Sequence, residues 1–93
     1  MMKKERKMKM IKNVYSVRDC KSGFGPLMLQ DNDAVAMRAF SVTVRQADSM
    51  MHWCAPDYAL YCIGSFDDDT GLFHSLEVSK HICDAQAVLD EEK

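Results

Sequence analysis

The segment 58–78 restricts the fold of this chain more than any other part. Residues 58–66 are almost all apolar, Asp-Asp-Asp-Thr-Gly follows at 67–71, and residues 72–78 are again rich in apolar types. A nearly continuous apolar run predicts a central strand covered on both faces. Aspartates followed by a glycine suited to positive φ predict a tight turn. We therefore expect an antiparallel β-hairpin.

A further strand is predicted near the start of the chain. Residues 11–18 are rich in β-branched and aromatic types that alternate with polar ones, which is typical of a strand. Residues 21–26 have the composition of a turn, and residues 27–29 are read as a short apolar link.

One main helix is predicted between the first strand and the hairpin. Residues 33–47 carry apolar side chains at helical spacing, and the run Asp31-Asn32-Asp33 supplies capping side chains before them. A loop is expected over 49–57, where Pro56 stops any helix, and a short final helix over 82–89.

These elements predict a small single α+β domain, with a mainly antiparallel sheet of three to four strands and one packed helix in the order β-α-β-β. With 93 residues, the chain can bury one modest core. We expect a basic mobile arm or extension at 1–9, the domain at 10–89 and an acidic tail at 90–93. Exposed sheet edges in so small a domain favour a homodimer.

Charge is unevenly distributed along the chain. Residues 1–21 carry eight basic and two acidic groups, whereas residues 22–93 carry four and twelve. Basic groups neutralise phosphates or meet an acidic surface, and the nearby rings of Tyr15 and Phe24 either pack in the core or a turn or stack on bases, so a nucleic acid is one partner that this pattern indicates. Two other interpretations stay open, a solvated tail and an arm that folds back on the acidic body of its own or a partner subunit. The predicted nucleic-acid-binding residues are Lys3, Lys4, Arg6, Lys7, Lys9, Lys12, Tyr15, Arg18, Lys21, Arg38 and Arg45.

The motifs for catalysis and cofactor binding are not found. The chain has no phosphate-binding loop, dinucleotide fingerprint or nucleophile elbow, and the aspartates at 67–69 lack the Gly and Glu of a calcium loop. His52-Trp53-Cys54 and His81-Ile82-Cys83 repeat a spacing tighter than common zinc sites, so buried, inert cysteines are favoured over metal ligands. We expect no enzyme, no cofactor and no metal. Neither a secretory signal nor a membrane span is predicted.

Two stretches resemble a known phage family. They read Asn-Asp-Ala-Val-Ala-Met-Arg-Ala-Phe at 32–40 and Asp-Tyr-Ala-Leu-Tyr-Cys-Ile-Gly-Ser-Phe-Asp-Asp-Asp-Thr-Gly at 57–71. Together with Tyr-Ser-Val-Arg-Asp at 15–19, they resemble the small nonstructural protein of gokushoviruses, tailless Microviridae phages with circular single-stranded DNA. The resemblance covers about residues 10–89, and it implies no catalytic residues in this chain. Residues 1–9 are an extension relative to that family, and without them the net charge is −6.

The resemblance implies a nonstructural phage protein of the host bacterial cytoplasm. We expect it to bind single-stranded DNA non-specifically during genome replication or packaging. The alternative is a non-catalytic adaptor that binds a phage replication protein or a host protein through its acidic surface or sheet edge. A third interpretation is acidic mimicry of DNA.

Overall fold

The fold is taken from a computed structural model that describes residues 11–91, so the predicted arm at 1–9 lies outside the described residues. It contains five strands, three α-helices and one 3₁₀ helix. In chain order they are β1 (Ile11–Asp19), β2 (Gly23–Phe24), β3 (Met28–Gln30), α1 (Asp33–Arg45), α2 (Met50–Trp53), the 3₁₀ helix (Ala55–Asp57), β4 (Tyr58–Asp67), β5 (Phe73–Asp84) and α3 (Ala85–Asp90).

The strands form one antiparallel sheet in the order β2-β1-β4-β5. The short strand β3 also pairs with β1, beside β2, because β4 occupies the other edge of β1 along its whole length. The predicted α+β class, the antiparallel sheet and the hairpin of β4 and β5 are confirmed. The sheet has five strands because the expected link at 27–29 and turn at 21–26 each contribute a short strand.

Helix α1 begins where the capping residues predict. The Asn32 side chain accepts a hydrogen bond from the backbone amide of Val35 at 2.9 Å, which satisfies one of the free amides of the first turn. The helix ends at Arg45, two residues earlier than predicted, since Gln46 adopts an extended conformation.

Two other boundaries differ from the prediction. The expected loop at 49–57 contains α2, capped by Ser49, and the 3₁₀ helix, in which Pro56 takes the second position, where no amide donor is needed. The final helix begins at Ala85 rather than residue 82, because β5 continues to Asp84.

All three α-helices lie on one face of the sheet, which we call the helix face. Phe40 of α1, Met51 of α2 and Val88 of α3 belong to one apolar cluster with Tyr15 of β1 and Leu60 of β4. Side chains alternate along a strand, so the intervening residues of β1 and β4 point to the opposite face, which we call the open face.

The hairpin motif is explained by its backbone. The Asp67 carboxylate accepts hydrogen bonds from the amides of Asp69 and Thr70, and Gly71 has a φ of 81°, which closes the turn. At Gly64, a Cβ atom would lie 2.5 Å from the carbonyl oxygen of His74, so only glycine permits the two strands to approach this closely. These motif residues serve the fold.

Candidate nucleic-acid interface

Three rings cross the open face in a line that we call the aromatic row: Phe24 of β2, Tyr61 of β4 and His81 of β5. The ring centroids of Phe24 and Tyr61 lie 5.6 Å apart, and those of Tyr61 and His81 lie 5.4 Å apart, both edge to face. The guanidinium of Arg18 on β1 lies 5.9 Å from the centroid of Phe24. Residues from four strands therefore form one continuous surface.

The position of the row follows from the strand register. Tyr61 lies between Leu60 and Cys62, whose side chains are buried on the helix face, so its own ring points to the open face. Arg18 pairs with Phe24, and Tyr61 pairs with His81, so each pair shares that face.

The rings of the row are held in place but reachable from solvent. Phe24 is 48% exposed, Tyr61 is half-buried and His81 is exposed. The Nε2 atom of His81 lies 2.8 Å from a carboxylate oxygen of Asp84, which orients the imidazole. Rings that neighbours have already fixed lose little conformational freedom when a planar ligand stacks on them.

The same face continues as an apolar groove towards the hairpin turn. Val14, Leu27, Leu29, Phe66 and Phe73 line this groove. Phe66 and Phe73 are cross-strand partners, and Leu27, Leu29 and Phe73 are each about half exposed. The open face therefore carries two groups of aromatic rings.

The structure divides the predicted cations between the two layers. Lys12 and Arg18 are on β1, and strand alternation points their side chains to the open face. Lys21 is exposed in the turn that leads to Phe24. Arg38 and Arg45 lie on α1, behind the sheet, and do not join the row.

Two of these cations are already paired with carboxylates. The Nζ of Lys12 lies 2.7 Å from Asp31, and their hydrogen bond and attraction raise the pKa of the lysine. Arg45 lies 3.9 Å from Glu91. The predicted contacts Lys3, Lys4, Arg6, Lys7 and Lys9 lie outside the described residues.

The prediction that Tyr15 contacts a nucleic acid is wrong. Tyr15 is fully buried on the helix face, where its hydroxyl donates to Asp33 at 2.5 Å and accepts from the side-chain amide of Asn13 at 3.0 Å. Burial, followed by the hydrogen bond to Asp33, raises the pKa of Tyr15 to about 12. The hydrogen bond from Tyr15 lowers the pKa of Asp33, and so does Lys80, whose Nζ lies 2.9 Å from the Asp33 carboxylate. This network ties the sheet to the start of α1.

The sequence indicated Phe24, with Tyr15, as a ring of a type that stacks on bases, but gave no indication that Tyr61 and His81 share a face with Phe24. The signal for Tyr61 was its place in β4 between two buried residues, because neighbouring side chains of a strand point to opposite faces. No comparable signal marked His81, because the pairing of β5 with β4 is irregular here. The register shifts between Leu60 and Tyr61 of β4.

The two His-x-Cys patterns do not assemble into a ligand cluster. Within residues 11–91, the only group of three potential ligands with mutually close ligand atoms is Asp19, Cys20 and Asp57. Burial, followed by a hydrogen bond to Asp57, raises the pKa of Cys20, which favours the neutral thiol over the thiolate that a metal requires. We assign no metal to this cluster. The expectation of buried cysteines is wrong for Cys20 and Cys54, which are exposed, and is confirmed for Cys62.

Comparison with known proteins identifies the family. A family model described as Phage ORF5 protein matches residues 12–88. The chain belongs to the phage ORF5 family. The matched range includes the whole aromatic row and excludes the five cations of residues 1–9. No curated protein and no solved structure matches the chain. In the part of this ORF5 protein that the structure describes, every helix is too short or too polar to cross a membrane.

Proposed function

We propose that this ORF5 protein binds single-stranded DNA without sequence specificity, as a nonstructural protein of a gokushovirus-type phage. The binding would take place in the host cytoplasm during genome replication or packaging and would involve no catalysis. The observation that supports the proposal is the aromatic row on the open face, with Arg18 at one end.

Base stacking explains why a single strand is the preferred ligand. Every base has a π-face, so an aromatic surface binds bases irrespective of sequence, with about 1–3 kcal/mol for each stacked base. In a duplex, those faces are already stacked on each other. Arg18 and Lys21, close to Phe24, are suited to neutralise phosphates of a strand whose bases lie on the row.

Substitution of the row tests this proposal. We expect Phe24→Leu and Tyr61→Leu each to weaken binding of a fluorescent oligothymidine of about 20 nucleotides by about 5- to 150-fold, measured by anisotropy. Trp53→Leu is the matched control, because Trp53 is 72% exposed but lies on α2, in the layer behind the sheet. Equal loss in all three variants, or stronger binding of the matching duplex, would contradict the proposal.

Residues 1–9 require a separate measurement. We would replace the five cations of residues 1–9 with glutamine in the full chain and measure affinity against salt. If those cations each neutralise one phosphate, the slope of log affinity against log salt falls by about 3.5 units. Affinity that survives the replacement and still depends on Phe24 would assign the site to the sheet. Affinity that disappears would assign it to generic attraction by the arm.

The adaptor remains the second candidate, because a long stretch of the chain carries acidic groups and no basic ones. Between residues 46 and 79 the chain has no Lys or Arg, and this stretch includes the exposed aspartates Asp68 and Asp69 of the hairpin turn. A stoichiometric protein recovered from phage-infected cells after nuclease treatment, and lost on Asp68→Asn with Asp69→Asn, would favour the adaptor. Recovery that nuclease abolishes would favour DNA.

A further inference from the structure

The apolar groove of the open face exposes large apolar side chains. Over residues 11–91, Leu27, Leu29 and Phe73 of its lining are 61%, 49% and 48% exposed. Phe66 pairs with Phe73 across the hairpin, so these two rings stand next to each other on the same face. A contiguous apolar surface on a small domain usually marks a place where another segment or a partner binds.

The described part of the chain begins beside this groove. Ile11, the first residue of β1, pairs with Asp67, and the next residue, Lys12, pairs with Phe66 of the groove. The lining residues come from β3, β1, β4 and β5, which span about 15 Å at the usual spacing of strands. Ten residues of extended chain reach up to about 33 Å. Residues 1–10 are therefore long enough to cross the whole groove from Ile11.

The side chains of residues 1–10 include an apolar set that suits such a groove. Four of these ten residues are methionine, which is half of the methionines in the chain. Methionine is flexible and fills irregular apolar surfaces. Met8 and Met10 alternate with Lys7 and Lys9, so an extended segment would carry both methionines on one face and both lysines on the other.

The charges of the two parts are complementary. Residues 1–10 carry five basic groups and one acidic group, a net charge of +4. The turn at the end of the groove carries Asp67, Asp68 and Asp69, of which the last two are exposed. The hydrogen bond to Asp31 is the main cause of the raised pKa of Lys12, and Asp68 adds to it. The negative potential of the turn therefore extends to the point where residues 1–10 join the sheet.

We propose that residues 1–10 fold back over the open face of their own domain, with Met8 and Met10 in the apolar groove and the cations beside the hairpin turn. Attachment at Ile11 favours this occupant over a free one. A short tether holds a segment near its site at an effective concentration of about millimolar, which a separate partner at micromolar concentration does not match.

The contact also bears on the DNA surface, a consequence that rests on the proposed function. The apolar groove and the aromatic row share the open face, so docked residues 1–10 would bring their cations to the face on which bases stack. Five cations outnumber the two exposed aspartates of the turn, which leaves cations for phosphates. The contact is measured without DNA, so a failure of the DNA proposal leaves it standing.

Nuclear magnetic resonance of the methionine methyl groups tests the contact. The full chain is labelled with ¹³C-methyl methionine under reducing conditions, and Met8→Leu and Met10→Leu assign the two signals. We expect nuclear Overhauser contacts from these methyl groups to the rings of Phe66 or Phe73, and methyl shifts displaced from those of a peptide of residues 1–10. Phe73→Leu should move the shifts towards the peptide values.

The role of charge is tested by removing two exposed carboxylates of the turn. Asp68→Asn with Asp69→Asn should lower the ratio of docked to undocked segment, read from the methyl shifts, by about 2- to 30-fold. Salt at about 1 M should act in the same direction, because it screens exposed charges beyond about 3 Å. The matched control is Asp48→Asn with Glu77→Gln, which removes two exposed charges outside the turn and should leave the ratio unchanged.

Three outcomes would overturn the proposal. One is a wild-type chain whose Met8 and Met10 methyl groups keep the peptide shifts and make no contact with either ring. Another is a contact seen only between labelled and unlabelled copies in a mixed sample, which would assign the groove to a second copy. The third is an equal fall of the docked ratio in the turn variant and in its control, which would remove the charge complementarity on which the choice of occupant depends.

Discussion

The substitution Tyr15→Phe separates a structural role for Tyr15 from the DNA contact predicted for it. It removes the 2.5 Å hydrogen bond to Asp33 and leaves the Asn13 amide without its acceptor, while the buried ring stays in place. A hydrogen bond to a charged group contributes about 1.5–3 kcal/mol to stability. In the variant, Asp33 still forms its ion pair with Lys80, and its side chain is 37% exposed, so water replaces part of the lost hydrogen bond. We therefore expect a loss of stability at the lower end of that range, about 1.5 kcal/mol.

Thermal unfolding followed by circular dichroism measures this loss. For a domain of this size, about 1.5 kcal/mol lowers Tm by about 6–12 °C. The matched control is Tyr61→Phe, which removes a hydroxyl from the partly exposed open face and should change Tm by less than about 2 °C. DNA affinity should be unchanged in Tyr15→Phe. An unchanged Tm together with weaker DNA binding would refute the burial argument and restore Tyr15 as a contact.

Three further predictions concern the fold. Gly64→Ala should destabilise the domain by about 1–3 kcal/mol in urea unfolding, because its Cβ would lie 2.5 Å from a β5 backbone oxygen, whereas Gly25→Ala, with its nearest neighbour at 3.4 Å, should be tolerated. Asn32→Ala should cost about 1 kcal/mol in the same assay through loss of the α1 cap, and a loss below about 0.3 kcal/mol would refute that role. Tyr15 should ionise with a pKa of about 12 in a titration at 295 nm, which Tyr15→Phe assigns by removing that transition. Since folding raises the pKa of Tyr15 above its ordinary value, its contribution to stability is complete below pH 10 and disappears as pH rises towards 12.

The elements with strong local signals were predictable from sequence. The cap at Asn32, the apolar stripe of α1 and the Asp67–Gly71 turn are each decided by neighbours within a few residues. The short strands β2 and β3 were not predictable, because they become strands only by pairing with β1. The extension of β5 to Asp84 likewise depends on its pairing with β4.

The candidate site shows the same division. Residue type drew attention to the rings near the basic segment, but only the register shows which rings share a face. Tyr15 and Phe24 carry similar side chains, yet one is fully buried under α1 and the other is half exposed on the open face. Tyr61 lies 37 residues after Phe24 in the chain, and the two rings meet only because β4 lies next to β1 in the sheet.

The placement of charge bears on the proposed binding of DNA to an acidic domain. Residues 11–91 contain six basic and twelve acidic groups, so a distant phosphate is repelled overall. Three of the six cations form ion pairs with carboxylates. These pairs join Lys12 to Asp31, Lys80 to Asp33 and Arg45 to Glu91. Arg18 instead lies against a ring of the aromatic row. Attraction by the domain is therefore local, so in the proposed DNA complex stacking rather than net charge must supply most of the affinity. Within the folded domain, loss of a ring should weaken binding more than a moderate increase in salt.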